Sequence, residues 1–207
     1  TNALAHKNSN FFLLVDIKSF YPSITKSKIK KELIMTYGQS SNVAEFISNA
    51  ITVPQKKAND KRALVTGSVL SQYFAYVINK RMFDELYEIS KLNDVVFTVY
   101  VDDISFSSKK ILTYKFHQKI YNIIKKYGYI INNGKVYRGK INSKSKITGI
   151  HITKYGFRLL EKHKNTIEKL KHKFDEQSKK SLLGMLNYAI QVNPKYRRYK
   201  KLFNQII

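Results

Sequence analysis

Cysteine is absent from this 207-residue chain, which excludes disulfides and thiolate metal sites and fits a reducing cytosol. Proline occurs only three times, and nowhere do Pro and Gly gather into a linker or low-complexity tract. No internal repeat is visible, so solenoid and propeller architectures drop out. No apolar run approaches the roughly 18–20 residues that a membrane helix needs. The longest near the start, Phe11 to Val15, is too short for the core of a signal peptide. The chain opens on Thr rather than Met, which reads as a trimmed or processed start. Acidic residues are scarce, with fourteen Asp and Glu against thirty-eight Lys and Arg.

That imbalance leaves a formal charge of +24. A chain this basic attracts phosphate backbones, and its binding should weaken steeply with salt. The basic residues recur along the whole sequence, in runs at Lys26–Lys31, Lys56–Arg62, Lys135–Lys146, Lys162–Lys173 and Lys195–Lys201. Such a spread suits a groove that tracks a duplex better than a single basic tail. Composition alone leaves a ribosomal-type or other non-catalytic RNA binder equally open. Hydrophobic residues make up 43% of the chain and aromatics 13%, with fifteen Tyr. The first figure predicts a folded domain with a real core. The second offers base-stacking surface or ordinary core.

Phe11–Ile17 is an apolar run with an aspartate at its end, the pattern of a buried strand. Helical spacing follows over Lys26–Tyr37, stopped by Gly38, and over Asn42–Ile51. Pro54–Arg62 reads as a polar, basic loop. Phe74, Ile78, Met82 and Leu86 form one stripe, predicting a single long helix over Ser71–Ile89. Val95–Tyr100 and Ile104–Ser107 predict a hairpin with Val101-Asp102-Asp103 at its tip. A helix over Ile111–Tyr127 closes at Gly128. Short strands are expected at Tyr129–Ile131, Lys146–Ile152 and Phe157–Leu160, with turns at Asn133-Gly134 and Tyr155-Gly156. From Glu161 the pattern is helical to the end, interrupted near Asn193-Pro194. A strand that pairs with a later hairpin and is backed by helices predicts an α+β, ferredoxin-like split βαβ domain.

The chemistry resides in carboxylates. Asp16 ends the first strand, and Asp102 and Asp103 sit side by side at the hairpin tip. Burial makes an unpaired anion costly, and adjacent carboxylates repel, so a positive partner is expected. Two Mg²⁺ ions, with Mn²⁺ as the alternative, would meet that need, because hard cations take clustered oxygen ligands. In two-metal chemistry one ion activates an attacking hydroxyl and the other steadies the leaving oxygen. The bland alternatives are a polar turn at Asp102-Asp103 and a strand-end cap at Asp16.

The flanking residues resemble a known family. Tyr100-Val101-Asp102-Asp103 matches the Tyr-x-Asp-Asp motif of reverse transcriptases. Asp16-Ile17-Lys18-Ser19-Phe20-Tyr21-Pro22-Ser23-Ile24 resembles the motif around their first catalytic aspartate, in its bacterial form. Leu64-Val65-Thr66-Gly67, with Ser68 and Ser71-Gln72, resembles the Gly-containing motif that opens a long helix. Asn132-Asn133-Gly134-Lys135 resembles the later lysine-bearing motif. All four occur in the family's order. Asn2-Ala3-Leu4-Ala5-His6 and Ile147-Thr148-Gly149 are similar to the Asn-Ala-x-x-His and Val-Thr-Gly signatures of retron reverse transcriptases, and the likeness runs from Asn2 to about Pro194.

The resemblance implies a right-hand polymerase palm over residues 1–160 and the start of a helical thumb over 161–207. It also implies fingers upstream that this chain does not supply, so the fragment alone should polymerise poorly. The implied activity is RNA-directed DNA synthesis in the bacterial cytoplasm. Its partners would be a structured non-coding RNA, the RNA–DNA hybrid, dNTPs and an effector protein, with no membrane, in defence against phage. Asp16, Asp102 and Asp103 would be catalytic and hold the metal together with the Ile17 backbone. Tyr21 would lie beneath the sugar and reject a 2′-OH, or simply pack beside Phe20. Gly67 would allow close backbone approach. Lys135 would steady the triphosphate or protonate pyrophosphate, or be a solvated turn lysine.

RNA or template contacts would fall to Asn2, His6, Ser71, Thr148, Gly149, Arg197 and Arg198. For His6 a satisfied structural group is the alternative, and for the arginines a merely solvated helix. His117, His151, His163 and His172 show no metal spacing. The Gly motif departs from the usual Leu-Pro-Gln-Gly, so an amide that helps position template is missing. Two further readings stay open: a defence reverse transcriptase making untemplated or protein-primed DNA, and a non-catalytic RNA-binding relic of the fold.

Overall fold

The computed structural model describes residues 2–55, 62–142, 144–173 and 175–206. In chain order a one-turn helix α1 (Asn2–Ala5) precedes strand β1 (Phe11–Asp16). Helices α2 (Phe20–Ser23), α3 (Lys26–Met35) and α4 (Ser41–Ile51) follow, then a short hairpin, β2 (Thr52–Pro54) and β3 (Arg62–Leu64). Helices α5 (Val69–Ile78) and α6 (Lys80–Lys91) lead to β4 (Val96–Tyr100), β5 (Asp103–Ser108) and α7 (Tyr114–Lys126). The last part holds β6 (Tyr137–Lys140), β7 (Lys146–Ile147), β8 (Ile150–Thr153) and β9 (Gly156–Leu159), then α8 (Glu161–Lys171), α9 (Glu176–Val192) and α10 (Arg197–Ile206).

The main sheet has the order β4-β5-β1-β6, and each neighbouring pair is antiparallel. Strands β1 and β4 therefore run parallel with β5 between them, the split βαβ arrangement expected from the sequence. Along β1 the residues alternate. Leu13 and Val15 enter a core with Ile104, Phe106, Ile120 and Ile124 beneath the helices. Phe12 turns to the opposite face and joins a second core with Ala3, Ile150, Leu159, Leu182 and Leu186. The period of two thus leaves Asp16, two residues on from Leu14, on the face away from the main helices. Two cores meet across one strand.

Three local expectations are corrected. The predicted long helix breaks at Asn79, between α5 and α6. The apolar stripe runs straight through the break, with Ile78, Met82 and Leu86 all buried, which is why periodicity hides it. Buried Asn79 donates from Nδ2 to the Ala75 carbonyl and accepts the Tyr129 hydroxyl at 2.5 Å. Tyr129→Phe would strand that buried amide oxygen, and an unfolding free energy lower by about 1–3 kcal/mol is expected in urea melts.

Second, Pro54 and Arg62 belong to the β2–β3 hairpin rather than to a loop, while residues 56–61 of that segment lie outside the described residues. Third, Tyr129–Ile131 is no strand but a single bridge, Ile131 to Ile17, and the sheet's fourth strand is β6. Its Tyr-Arg-Gly-Lys sequence has no apolar alternation because an edge strand with a solvated face needs none. Lys28, on α3, is largely withdrawn from solvent. Its Nζ donates to the Tyr127 carbonyl at 3.0 Å and lies 3.6 Å from the centre of the Tyr129 ring. Burial lowers its pKa to about 8.

Candidate active site

Asp16 and Asp103 stand directly opposite each other in the β1–β5 ladder. Tyr100 pairs with Asp103 across β4–β5, so Val101 and Asp102 form a two-residue hairpin loop. Val101 has φ of 59°, a conformation a β-branched residue adopts only under strain. Its side chain packs against the main core, and that anchoring leaves Asp102 at the free tip. The Ile17 N–H reaches toward the Asp102 carbonyl at 3.4 Å, tying strand end to hairpin tip. Asp16 and Asp103 thus face each other across the ladder, and Asp102 at the tip is tied to the end of β1 through the Ile17 backbone.

Asp103 carries the electrostatic cost. Its carboxyl pKa is raised by burial, then by Asp102 and Asp16, with Lys135 opposing. Asp16 is held on all sides. Lys135 Nζ lies 3.0 Å from Oδ1, Asn132 Nδ2 donates to Oδ2 at 3.1 Å, and the Asn132 N–H donates to the Asp16 carbonyl. The Lys135 pKa rises, chiefly through its hydrogen bond to Asp16. Lys135 therefore joins the carboxylate cluster, and so does Asn132, whose place in the Asn-Asn-Gly-Lys motif carries no sign of it.

All-carboxylate donors that repel one another suit a hard divalent cation. Among the described residues, however, no three His, Asp or Glu side chains converge closely enough to hold an ion. Lys135 is the cation on Asp16 here.

Tyr21 borders the same cluster. Its hydroxyl pKa is raised by burial, then by Asp102 and Tyr100, while its ring meets Phe20 edge-on at 5.8 Å. Gly67 lies exposed ahead of α5 with φ of 91° and open space where a side chain would start, which leaves room for a close approach. Thr148 and Gly149 form the two-residue turn joining β7 and β8, both with positive φ (44° and 78°). Thr148 faces a cavity of about 380 Å³ that it shares with Asp16, Asp103, Lys135, Lys144 and Lys146. A second cavity joins Thr148 and Gly149 to Asn2, Tyr100 and Asp103. The two lysines of the 144–146 loop were visible only as members of a basic run.

Other expected contacts sit elsewhere. Ser71 is buried inside α5, one turn past the cap position Ser68, and its hydroxyl finds no partner among the described residues. It neither caps the helix nor faces a template. Arg197 and Arg198 open α10, and Arg198 borders a separate cavity with Arg158, Lys164 and Tyr199.

His6 is fully buried. Its Nδ1 pairs with Ser107 Oγ at 2.6 Å and its Nε2 with Thr98 Oγ1 at 2.8 Å. Both ring nitrogens are engaged inside the protein, the satisfied structural group that was the alternative for His6. Burial lowers its pKa to about 4. A folded value below the unfolded 6.5 means that the fold holds the neutral ring. Its contribution is complete above pH 6.5 and lost as pH falls toward 4. Acid titration of stability should show about 3 kcal/mol from this group in that window, and His6→Gln should remove it.

A split βαβ sheet with facing carboxylates at a strand end and a hairpin tip is the arrangement expected of a polymerase palm. The comparisons narrow the class. The chain is 27% identical over 205 residues to the retron Ec86 reverse transcriptase of Escherichia coli, covering 95% of this chain and 60% of that protein. It is 27% identical over 121 residues to the retron Mx162 reverse transcriptase of Myxococcus xanthus, covering 53% of this chain and 25% of that one. No protein-family model matches.

Among solved structures, the foamy viral protease-reverse transcriptase with double-stranded DNA superposes with a TM-score of 0.58 at 19% identity, over 99% of this chain and 32% of that one. Candida albicans telomerase with a telomeric RNA fragment gives 0.53 at 12%, over all of this chain and 45% of that one. These likenesses establish the polymerase palm fold, and the sequence similarity is to retron reverse transcriptases. The chain spans 60% of the E. coli relative's length. No helix among the described residues is long and apolar enough to cross a membrane.

Proposed function

We propose that this chain is the palm, residues 1–160, and the start of the thumb, residues 161–207, of a retron-type RNA-directed DNA polymerase. The observation that carries the reading is the Asp16–Asp103 pair across β1 and β5, beside Asp102 and engaged by Lys135. Asp16, Asp102, Asp103 and the Ile17 carbonyl would hold Mg²⁺, or Mn²⁺ in its place. Bound there, the metal supplies activation of an attacking hydroxyl and charge neutralisation on the leaving oxygen. Asn132 fixes the Asp16 carboxylate, and Lys135 stands within reach of a triphosphate once it leaves Asp16.

Tyr21, beside Asp102, would close the space a 2′-OH needs. Tyr21→Ala should therefore lower discrimination of dNTP over NTP on the order of 10²-fold, measured as a ratio of kcat/KM values. Partners under this reading are a structured non-coding RNA, the RNA–DNA hybrid, dNTPs and an effector protein, in the cytoplasm of a bacterium defending itself against phage.

The test is labelled dNTP incorporation by the intact protein co-expressed with its neighbouring non-coding RNA. A branched product sensitive to both RNase and DNase supports the reading. DNA made without that RNA points instead to untemplated or protein-primed synthesis. Tight RNA binding with no DNA from the wild type would decide for a non-catalytic relic of the fold.

A further inference from the structure

The Asn2–His6 segment makes a set of contacts that none of the foregoing roles uses. It lies on the sheet face that carries Asp103, because Ser107 and Asp103 share a parity on β5 and Thr98 and Tyr100 share one on β4. Asn2 Nδ2 donates to the Val99 carbonyl at 3.2 Å, one residue before Tyr100. Ala3 is fully buried and packs in the second core. His6 spans the hairpin, bonding Thr98 on β4 and Ser107 on β5. The Ser107 hydroxyl donates in turn to Ser9 Oγ at 2.7 Å. Each hydroxyl can donate or accept, so the neutral ring finds a donor at one nitrogen and an acceptor at the other. The Ser9 N–H donates to the His6 carbonyl, and the Asn10 N–H to the Ser108 carbonyl.

Both strands of the hairpin are therefore gripped from one side, at its base by His6 and near its tip by Asn2. A two-stranded ribbon twists easily. Its tip must also keep Val101 in a strained conformation while holding Asp103 against the repulsion of Asp16 and Asp102.

We propose that Asn2, Ala3 and His6 form a brace that sets the position of the Asp102–Asp103 tip relative to Asp16, with His6 as a positioning residue and not a nucleic-acid contact. The role rests on the polymerase reading. The segment acts as supporting shells do, by removing freedom from groups that act directly.

The experiment compares the intact wild type with His6→Ala, His6→Gln and Thr98→Val. Its three measurements are single-turnover incorporation, hybrid affinity and Mn²⁺ affinity by electron paramagnetic resonance. For His6→Ala, kcat and Mn²⁺ affinity should each fall about 10–100-fold, with KM and hybrid affinity within about twofold. His6→Gln, which restores one donor and one acceptor, should recover most of both. Thr98→Val, which keeps the shape of the side chain, should give a smaller loss of the same kind even if His6→Ala fails to fold.

Loss of RNA or hybrid affinity with kcat intact would overturn the brace in favour of recognition. Equal inactivity of the Ala and Gln variants would overturn it in favour of a role peculiar to the ring. A wild type that makes no DNA sinks the polymerase reading alone, and the Mn²⁺ comparison still decides this one.

Discussion

Asp102→Asn in the intact protein is expected to cut dNTP incorporation by about 10²–10³-fold, the scale on which one preorganised electrostatic group acts, while leaving stability unchanged or slightly higher. The two effects have opposite signs for one reason. Asp102 is partly exposed at a two-residue hairpin tip, so an isosteric amide opens no cavity and breaks no core contact. It does remove one of three negative charges. Asp102 is the second cause, after burial, of the raised Asp103 pKa, and without it Asp103 ionises more readily. The folded chain loses repulsion and so loses nothing by the change. Catalysis loses the charge that would hold a metal, in line with the general conflict between site function and stability.

Urea denaturation and single-turnover incorporation, run side by side, separate the two effects. Activity within tenfold of wild type would exclude Asp102 from the chemistry. A large loss of stability would show that the cluster is structural. Asp16→Asn is less clean, because it also releases Lys135 and changes the bond from Asn132.

What could be read from residues alone follows from how local its cause is. Phe11–Asp16 was legible as a strand because one face packs the main core and the other meets the second. Tyr100–Asp103 was legible because two strong β runs flank a short polar tip carrying Asp102. Strand β6 was hidden, since edge pairing is backbone chemistry and leaves no mark on a Tyr-Arg-Gly-Lys sequence. The break at Asn79 was hidden because the helix stripe continues in phase across it, and the partner of the Asn79 side chain is a hydroxyl fifty residues away on Tyr129.

The site divides in the same way. The carboxylates announce themselves by type and position, whereas the Lys135–Asp16 pair joins residues 119 apart, a distance no spacing rule spans. His6 and Ser71 were misassigned because their motifs report identity and not burial, and burial alone decides whether a polar group can meet a ligand. A signal for His6 did exist in the small hydroxyl residues at alternate positions of β5, Ser105 and Ser107, which leave room and partners for a ring above them.

Salt should affect this protein more than any single substitution. If six to ten phosphates are neutralised, hybrid affinity is expected to fall by about 10³–10⁵ between about 50 and 200 mM salt. The argument starts from the deficit of acids, since a net +24 cannot be balanced within the chain. The lysines are not equivalent, however. Lys26 and Lys30 close on Glu45 at 2.5 and 2.9 Å, and their hydrogen bonds hold its carboxyl pKa down to about 2. Lys126 is paired with Glu85, and Lys80 with Asp84. Lys144 and Lys146 instead face the cavity that contains Asp16 and Asp103.

Their loop is tied internally. The Lys144 N–H donates to Asn142 Oδ1, the Asn142 N–H to Ser145 Oγ, and the Ile152 N–H to the Ser145 carbonyl. The two ammonium groups therefore project from a fixed base. The double variant Lys144→Ala/Lys146→Ala should reduce the slope of log affinity against log salt by about two. Lys26→Ala/Lys30→Ala should reduce that slope by less, because those two charges share the Glu45 carboxylate. Equal slopes for both double variants would mean that the strand does not lie over the carboxylate cavity. A slope near zero in the wild type would show that the charge serves something other than phosphate.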